Sequence, residues 1–322
     1  MLNKIFIIYF YDIVLKIIFF SQFIQCEQII NELTNSYIYL KVKGKTNIKI
    51  FNERNGLNMI IINNTTKYTG DGVNNQYNFD NNINNITLIW NTTPISTKNW
   101  FKDCKDITEI DLSNFDSSQV DNMESMFYKC SNLISLDLSN FNTSLITNMD
   151  RMFSCCSNLI SLDLSNFNTS SVTTMEFMLS SCSNLISLDL SNFNTSSVIN
   201  MGRIFYQCSK LNTLDLSSFN TSSVIIMELM FYRCLNLTSL DLSSFNTSSV
   251  TTMSSMFSGC YQLNYINLSN FDTSRVTNMY SMFSSCLKLI YLNLSNFDTS
   301  RVTNMNICFL VALQTIIGAP HL

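Results

Sequence analysis

Residues 133–156 read LISLDLSNFNTSLITNMDRMFSCC, and the same pattern returns every 26 positions from about residue 110 to 305. The phenylalanines that mark it are Phe115, Phe141, Phe167, Phe193, Phe219, Phe245, Phe271 and Phe297, so eight units follow one another without a slip. A fixed period of this length is the signature of an array in which each unit stacks on its neighbours. Within one unit, Leu136-Asp137-Leu138 alternates as a short strand does. Asn142-Thr143-Ser144 is polar turn material. Met149, Met152, Phe153 and Cys156 fall at i, i+3, i+4 and i+7, which predicts one face of a short helix. Thr147 is placed as its N-cap, and Thr173 with Glu176 makes the corresponding capping box one unit on. The expected fold is therefore an α/β solenoid of short parallel strands and short helices.

The chain ahead of the array reads differently. Residues 1–26 open with a positive start and an apolar run broken by Asp12 and Lys16, the layout of a secretory signal peptide, with a retained anchor as the alternative. Cys26 follows at once, a position for lipid attachment, although Gln25 stands where a lipobox needs a small residue. Residues 27–85 are expected to form a β-rich cap. Tyr37–Lys43 alternates with period two, residues 47–51 and 57–62 continue it, and Asn55-Gly56 supplies a hairpin turn. The Asn-, Gly- and Asp-rich stretch 67–85 is expected as loop. A degenerate first coil follows from residue 86, with Cys104 lying 26 before Cys130 and Trp100-Phe101 in the place of Met-Phe. After Met305 the pattern decays, so 86–305 is taken as the array and 306–322 as a degenerate end.

Leu133-x-x-Leu136-x-Leu138 and Leu185-x-x-Leu188-x-Leu190 carry the L-x-x-L-x-L of leucine-rich repeats. The fuller LDLSNFNTSSVTxMxxMFxxCxxL pattern resembles the BspA-like surface proteins, in their 26-residue-repeat branch. That resemblance spans about 86–305 and implies a secreted or surface-displayed protein that adheres to host surfaces, matrix or other cells. Two features depart from it. The Phe column occupies the usual Asn-ladder position, and the membrane helix and tail of many protist members are not found.

Net charge is −4 and only 13% of residues are charged, with no basic stripe, which argues against a nucleic-acid partner. The single histidine, His321, leaves no Ser-His or Cys-His pairing, and there is no phosphate-cradling glycine loop or zinc-ligand spacing, so no enzyme and no cofactor are expected. The ladder Cys104, Cys130, Cys156, Cys182, Cys208, Cys234, Cys260 and Cys286 has three readings: buried thiols, disulfides between coils, or metal ligands. Cys155 lies off it and is expected to be exposed and the most reactive.

The candidate binding residues lie on the strand side. Asp111, Asp137, Asp163, Asp189, Asp215 and Asp241 form a column that ends in Asn267 and Asn293, beside a serine column from Ser113 to Ser295. Stacked strands would set the carboxylates about 4.8 Å apart, which raises pKa values unless hydroxyls or cations intervene. Two readings stand: a hydrogen-bonded Asp/Ser register device, or an acidic strip for Ca²⁺ or a basic partner. Tyr265 and Tyr291 replace Ser or Thr beside that column, with Arg275 and Arg301 in the same two units, residue types enriched at binding hot spots. Asn142, Asn168, Asn194, Asn220 and Asn246 sit in N-T-S, with further sequons at Asn64, Asn85 and Asn91, each either a glycan acceptor or simply a good turn. The expected function is extracellular or cell-surface adhesion to a protein or glycan ligand, with membrane contact only through the N-terminus. The alternative is a structural coat or antigenic protein without a specific ligand.

Overall fold

The computed structural model describes residues 36–52, 57–63, 65–68, 76–90, 92–306 and 315–317. The expected leader with Cys26, the Asn55-Gly56 turn, the sequons at Asn64 and Asn91, and His321 lie outside the described residues. Six strands precede the array: β1 (Tyr37–Lys43), β2 (Ile48–Lys49), β3 (Leu57–Ile62), β4 (Thr65–Tyr68), β5 (Gln76–Tyr77) and β6 (Ile83–Trp90). The alternation expected of β1 is real, because Ile38, Leu40 and Val42 are fully buried. The stretch expected as loop is corrected. It carries the end of β4, then β5 and the start of β6, whose Ile86, Leu88 and Trp90 alternate inward behind a screen of asparagines. β6 pairs antiparallel with both β1 and β3, so residues 86–90 belong to this sheet and not to a degenerate coil.

The first array strand, β7 (Ile107–Asp111), lies antiparallel to β1 on one side and parallel to β8 (Ser135–Asp137) on the other. The sheet order is thus β4-β3-β6-β1-β7-β8, and the N-terminal strands run directly into the repeats. Lys41 ties the join, its Nζ 2.8 Å from Glu109 Oε1 while its carbonyl accepts the Thr108 hydroxyl. Further along, β9 (Ser239–Asp241) pairs in parallel with β10 (Tyr265–Asn267), and β11 (Tyr291–Asn293) with β12 (Thr315–Ile317). The tail expected to be no repeat therefore adds one more strand, with Tyr291 facing Thr315 at an offset of 24 residues instead of 26. In the units between β8 and β9 the equivalent segments are not strands, and only single bonds such as Asn212 N–H to Ile186 O (3.1 Å) remain.

The connection that never lapses lies in the methionine segment, where parallel bridges run Ser96, Asn122, Asn148, Thr174, Asn200, Ile226, Thr252, Asn278, Asn304 at 26-residue steps. No helix occurs there or anywhere among the described residues, which corrects the helical expectation. The amides of Met149, Arg151, Phe153 and Cys155 donate to the carbonyls of Thr174, Glu176, Met178 and Ser180 in the next unit, at 2.7–3.1 Å. Between them Met152 N–H and Cys156 N–H bond back three residues, to Met149 O and Phe153 O. Arg151 (φ 55°) and Cys155 (φ 62°) are left-handed, and equivalent pairs recur through the array, which breaks any right-handed helix every fourth residue. The segment is a pair of tight turns. A period of four brings Met149, Met152, Phe153 and Cys156 to the same inner side that a helix would, and all four are fully buried. The helical caps are likewise absent: Thr147 and Thr173 turn their hydroxyls to Asp121 O and Thr147 O of the preceding unit.

The core is a set of columns. Phe115 stacks on Phe141, Phe193 on Phe219 and Phe271 on Phe297, with centroids 5.9–6.5 Å apart. A second aromatic column runs through Phe101, Phe127 and Phe153, and again through Phe205, Phe231, Phe257 and Phe283. Among the described residues, no helix is long and apolar enough to cross a membrane.

Candidate functional site

Three outward faces are built from this frame, and two of them begin with how a short polar side chain satisfies its own backbone. On the strand face, Asp137 Oδ1 accepts the Ser139 amide at 2.9 Å, and Asp163, Asp189, Asp215 and Asp241 do the same with Ser165, Ser191, Ser217 and Ser243. These are Asx turns closed within one unit, so the Asp and Ser columns are joined across each strand end, and Asp241 is also held by the Asn267 side chain of the next unit. Hydrogen bonding outweighs like-charge repulsion. The Ser165 hydroxyl and amide hold Asp163 below the ordinary carboxylate range, and the Ser191, Ser217 and Ser243 amides do so for Asp189, Asp215 and Asp241. Neighbouring Asp163 and Asp215 push Asp189 upward, but less than Ser191 pulls it down, so the serine donors prevail over the repulsion. A groove of about 530 Å³ opens here, lined by Asp189, Asp215, Asp241, Thr213 and Ser239.

Tyr265 and Tyr291 stand on the same face in β10 and β11, each 52% exposed. Arg275 and Arg301 are exposed in the turns that follow, beside Asp272 and Asp298. Asp272 is held low first by the Ser274 hydroxyl and only lastly by Arg275. Among the described residues, no hydrogen bond or cation–π contact joins either tyrosine to either arginine.

The sequon edge follows the same logic. Asn142, Asn168, Asn194, Asn220 and Asn246 accept the amide of the serine two residues on at 2.9–3.1 Å. Asp116, Asp272 and Asp298 fill that position in other units and accept in the same way. The turn needs an Asx oxygen there, and an aspartate meets the need as well as an asparagine.

The third face was not foreseen. On the outer side of the methionine turns, Arg151 and Arg203 lie 4.7 and 5.0 Å from the centroid of the Phe177 ring between them. Arg203 also bridges Glu176 and Glu228, one from each neighbouring unit, at 3.1 and 2.5 Å. Tyr206 stacks on Tyr232 at 4.9 Å. The signal was available in the sequence: the column Arg151, Phe177, Arg203, Leu229 changes at every unit, whereas the Met149 and Cys156 columns of the same segment hold constant over these units.

The cysteine ladder resolves into buried free thiols. Each Sγ–H from Cys130 to Cys286 donates to the carbonyl 29 residues earlier, as Cys156 does to Phe127 O at 3.1 Å. Burial pushes the Cys104, Cys208 and Cys286 thiols up to about 12 and the others well above the ordinary value. Cys155 is half-buried, its Sγ 3.8 Å from Ser154 Oγ, at the side of a 400 Å³ groove that Ser157, Ser183, Gln207 and Arg233 also line.

A family model described as Mycoplasma protein of unknown function, DUF285, matches residues 50–159, 95–213, 155–241 and 201–315. The chain belongs to the DUF285 family. The four overlapping matches of DUF285 step along the 26-residue units and reach back into the N-terminal strands from residue 50. No curated protein matches the chain. DUF285 membership agrees with a repeat protein, and the candidate residues of all three faces lie within the matched span.

Proposed function

We propose that this DUF285 protein is a secreted or cell-surface recognition protein. In the finer reading it is a leucine-rich-repeat solenoid of the BspA-like kind, with tight turns in place of helices. It binds a protein or glycan ligand on a cell or matrix surface through its exposed faces. One observation carries the reading: the inward columns of Phe, Met, Cys and Thr repeat from unit to unit, whereas outward positions such as Arg151, Phe177, Arg203 and Leu229 do not. A pure scaffold has no need for outward variety, and recognition depends on it.

The deciding experiment measures binding of the purified protein to intact host cells and to matrix proteins, with Ca²⁺ and with chelator. Saturable binding supports recognition, and its loss on chelation would turn the Asp column from turn-former into site. Absence of binding by protein shown to be folded overturns the proposal in favour of a coat or antigenic role.

A further inference from the structure

The last two full units differ from the rest in one concerted way. From Val250 to Phe271 the chain contains no Asp, Glu, Lys or Arg, and from Val276 to Phe297 only Lys288. In those units the Asp column becomes Asn267 and Asn293, and the residue two before it becomes Tyr265 and Tyr291. Charge leaves the strand face where aromatic rings arrive. The exposed tyrosines among the described residues, Tyr261, Tyr265, Tyr280 and Tyr291, all fall in this stretch. Tyr265 and Tyr291 occupy equivalent places in consecutive units, on the neighbouring strands β10 and β11, so both rings present themselves on one face, which we call the platform. Leu287 and Ile290, both more than half exposed, lie just ahead of Tyr291 in the chain.

We propose that this platform binds an uncharged glycan of hexose or N-acetylhexosamine units. The inference rests on the recognition reading and names its ligand class. Pyranose rings present a face of C–H groups that packs on an aromatic ring, and tyrosine offers that ring rigidly with a polar tip. Their hydroxyls need amide and hydroxyl partners at the rim. Asn293 Oδ1 accepts the Ser295 amide at 3.0 Å, which leaves its NH₂ to donate outward, and Ser269 and Ser295 are exposed beside it. An anionic ligand would meet no cationic pair on this face, and a cationic one would fit the Asp137–Asp241 stretch instead, so the local loss of charge matches a neutral partner.

The test applies purified protein to an array of neutral hexose and N-acetylhexosamine oligosaccharides, printed beside sialylated and sulfated ones. Binding should be confined to neutral glycans and should not change between low and high salt. The double variant Tyr265→Ala/Tyr291→Ala should weaken it by roughly tenfold or more, with an unchanged melting temperature, while Tyr265→Phe/Tyr291→Phe retains it. Binding only to charged glycans, or insensitivity to the alanine pair, overturns the inference. So does cell binding that survives enzymatic deglycosylation of the cells, which would make the partner a protein and leave the recognition reading intact. Failure to bind any cell or matrix surface removes both readings together.

Discussion

The Thr221 hydroxyl donates to the carbonyl of Asn246 in the next unit at 2.9 Å and accepts that residue's amide, also at 2.9 Å. One fully buried side chain thus satisfies both backbone groups of a neighbouring turn. Thr169 does the same for Asn194 and Thr247 for Asp272. Thr221→Val keeps the shape and takes the buried hydroxyl partner from the Asn246 N–H and C=O. Two lost hydrogen bonds should cost about 1–3 kcal/mol, read by urea denaturation, whereas exposed Ser223→Ala should change little.

The buried thiols should be chemically silent. Only a thiolate reacts readily, and burial holds these groups protonated far above neutral pH. Peptide mapping after brief alkylation of native protein should find Cys155 labelled ahead of all eight ladder cysteines. Labelling of Cys156 or Cys182 at a comparable rate would show that the stack opens.

The strand-face carboxylates give the array an acid limit. Asp163, Asp189, Asp215 and Asp241 titrate lower in the folded chain than the unfolded value of about 3.9. Their contribution is present above that value and is lost as pH falls through the folded values. The melting temperature should be level from neutral to about pH 5 and fall below about pH 4. Replacing these four by Asn should preserve neutral stability, since Asn267 and Asn293 already accept the same serine amide, and should flatten the acid fall.

Left-handed positions offer a stability gain. Ser285 has φ 62°, while its equivalent one unit earlier is Gly259 at φ 76°. Ser285→Gly should stabilise by about 1 kcal/mol, and Gly259→Ser should destabilise by at least as much. A Cβ at Gly259 would lie 2.9 Å from Arg233 Cγ. Thermal melts of the two variants should move in opposite directions.

Much of the inner architecture was legible in the residues. The Phe, Met and Cys columns were identified by period alone and are buried as expected, because a stacked unit must hide the same positions each time. The helix was misread for a physical reason: a four-residue turn period and a 3.6-residue helix period place i, i+3, i+4 and i+7 alike over so short a run. Strand β6 was missed because Asn84 and Asn85 masked the alternation of Ile86, Leu88 and Trp90. The Asp and Ser columns were seen, and of the two readings kept open the hydrogen-bonded pairing of Asp with Ser is present; what spacing did not reveal is that the serine amide two residues on is the donor.

The 26-residue unit and its inward residues were determined by sequence alone, because burial of the same apolar positions at a fixed interval leaves a periodic trace. Only the tertiary structure decided that the units are joined through the methionine turns, with left-handed residues such as Arg151 and Cys155 freeing their amides for the next unit. Only it brought Arg151, Phe177 and Arg203 together. The reason is that backbone hydrogen bonds between residues 25 apart, and side chains meeting across units, depend on where each amide points, and φ leaves no periodic mark in residue type.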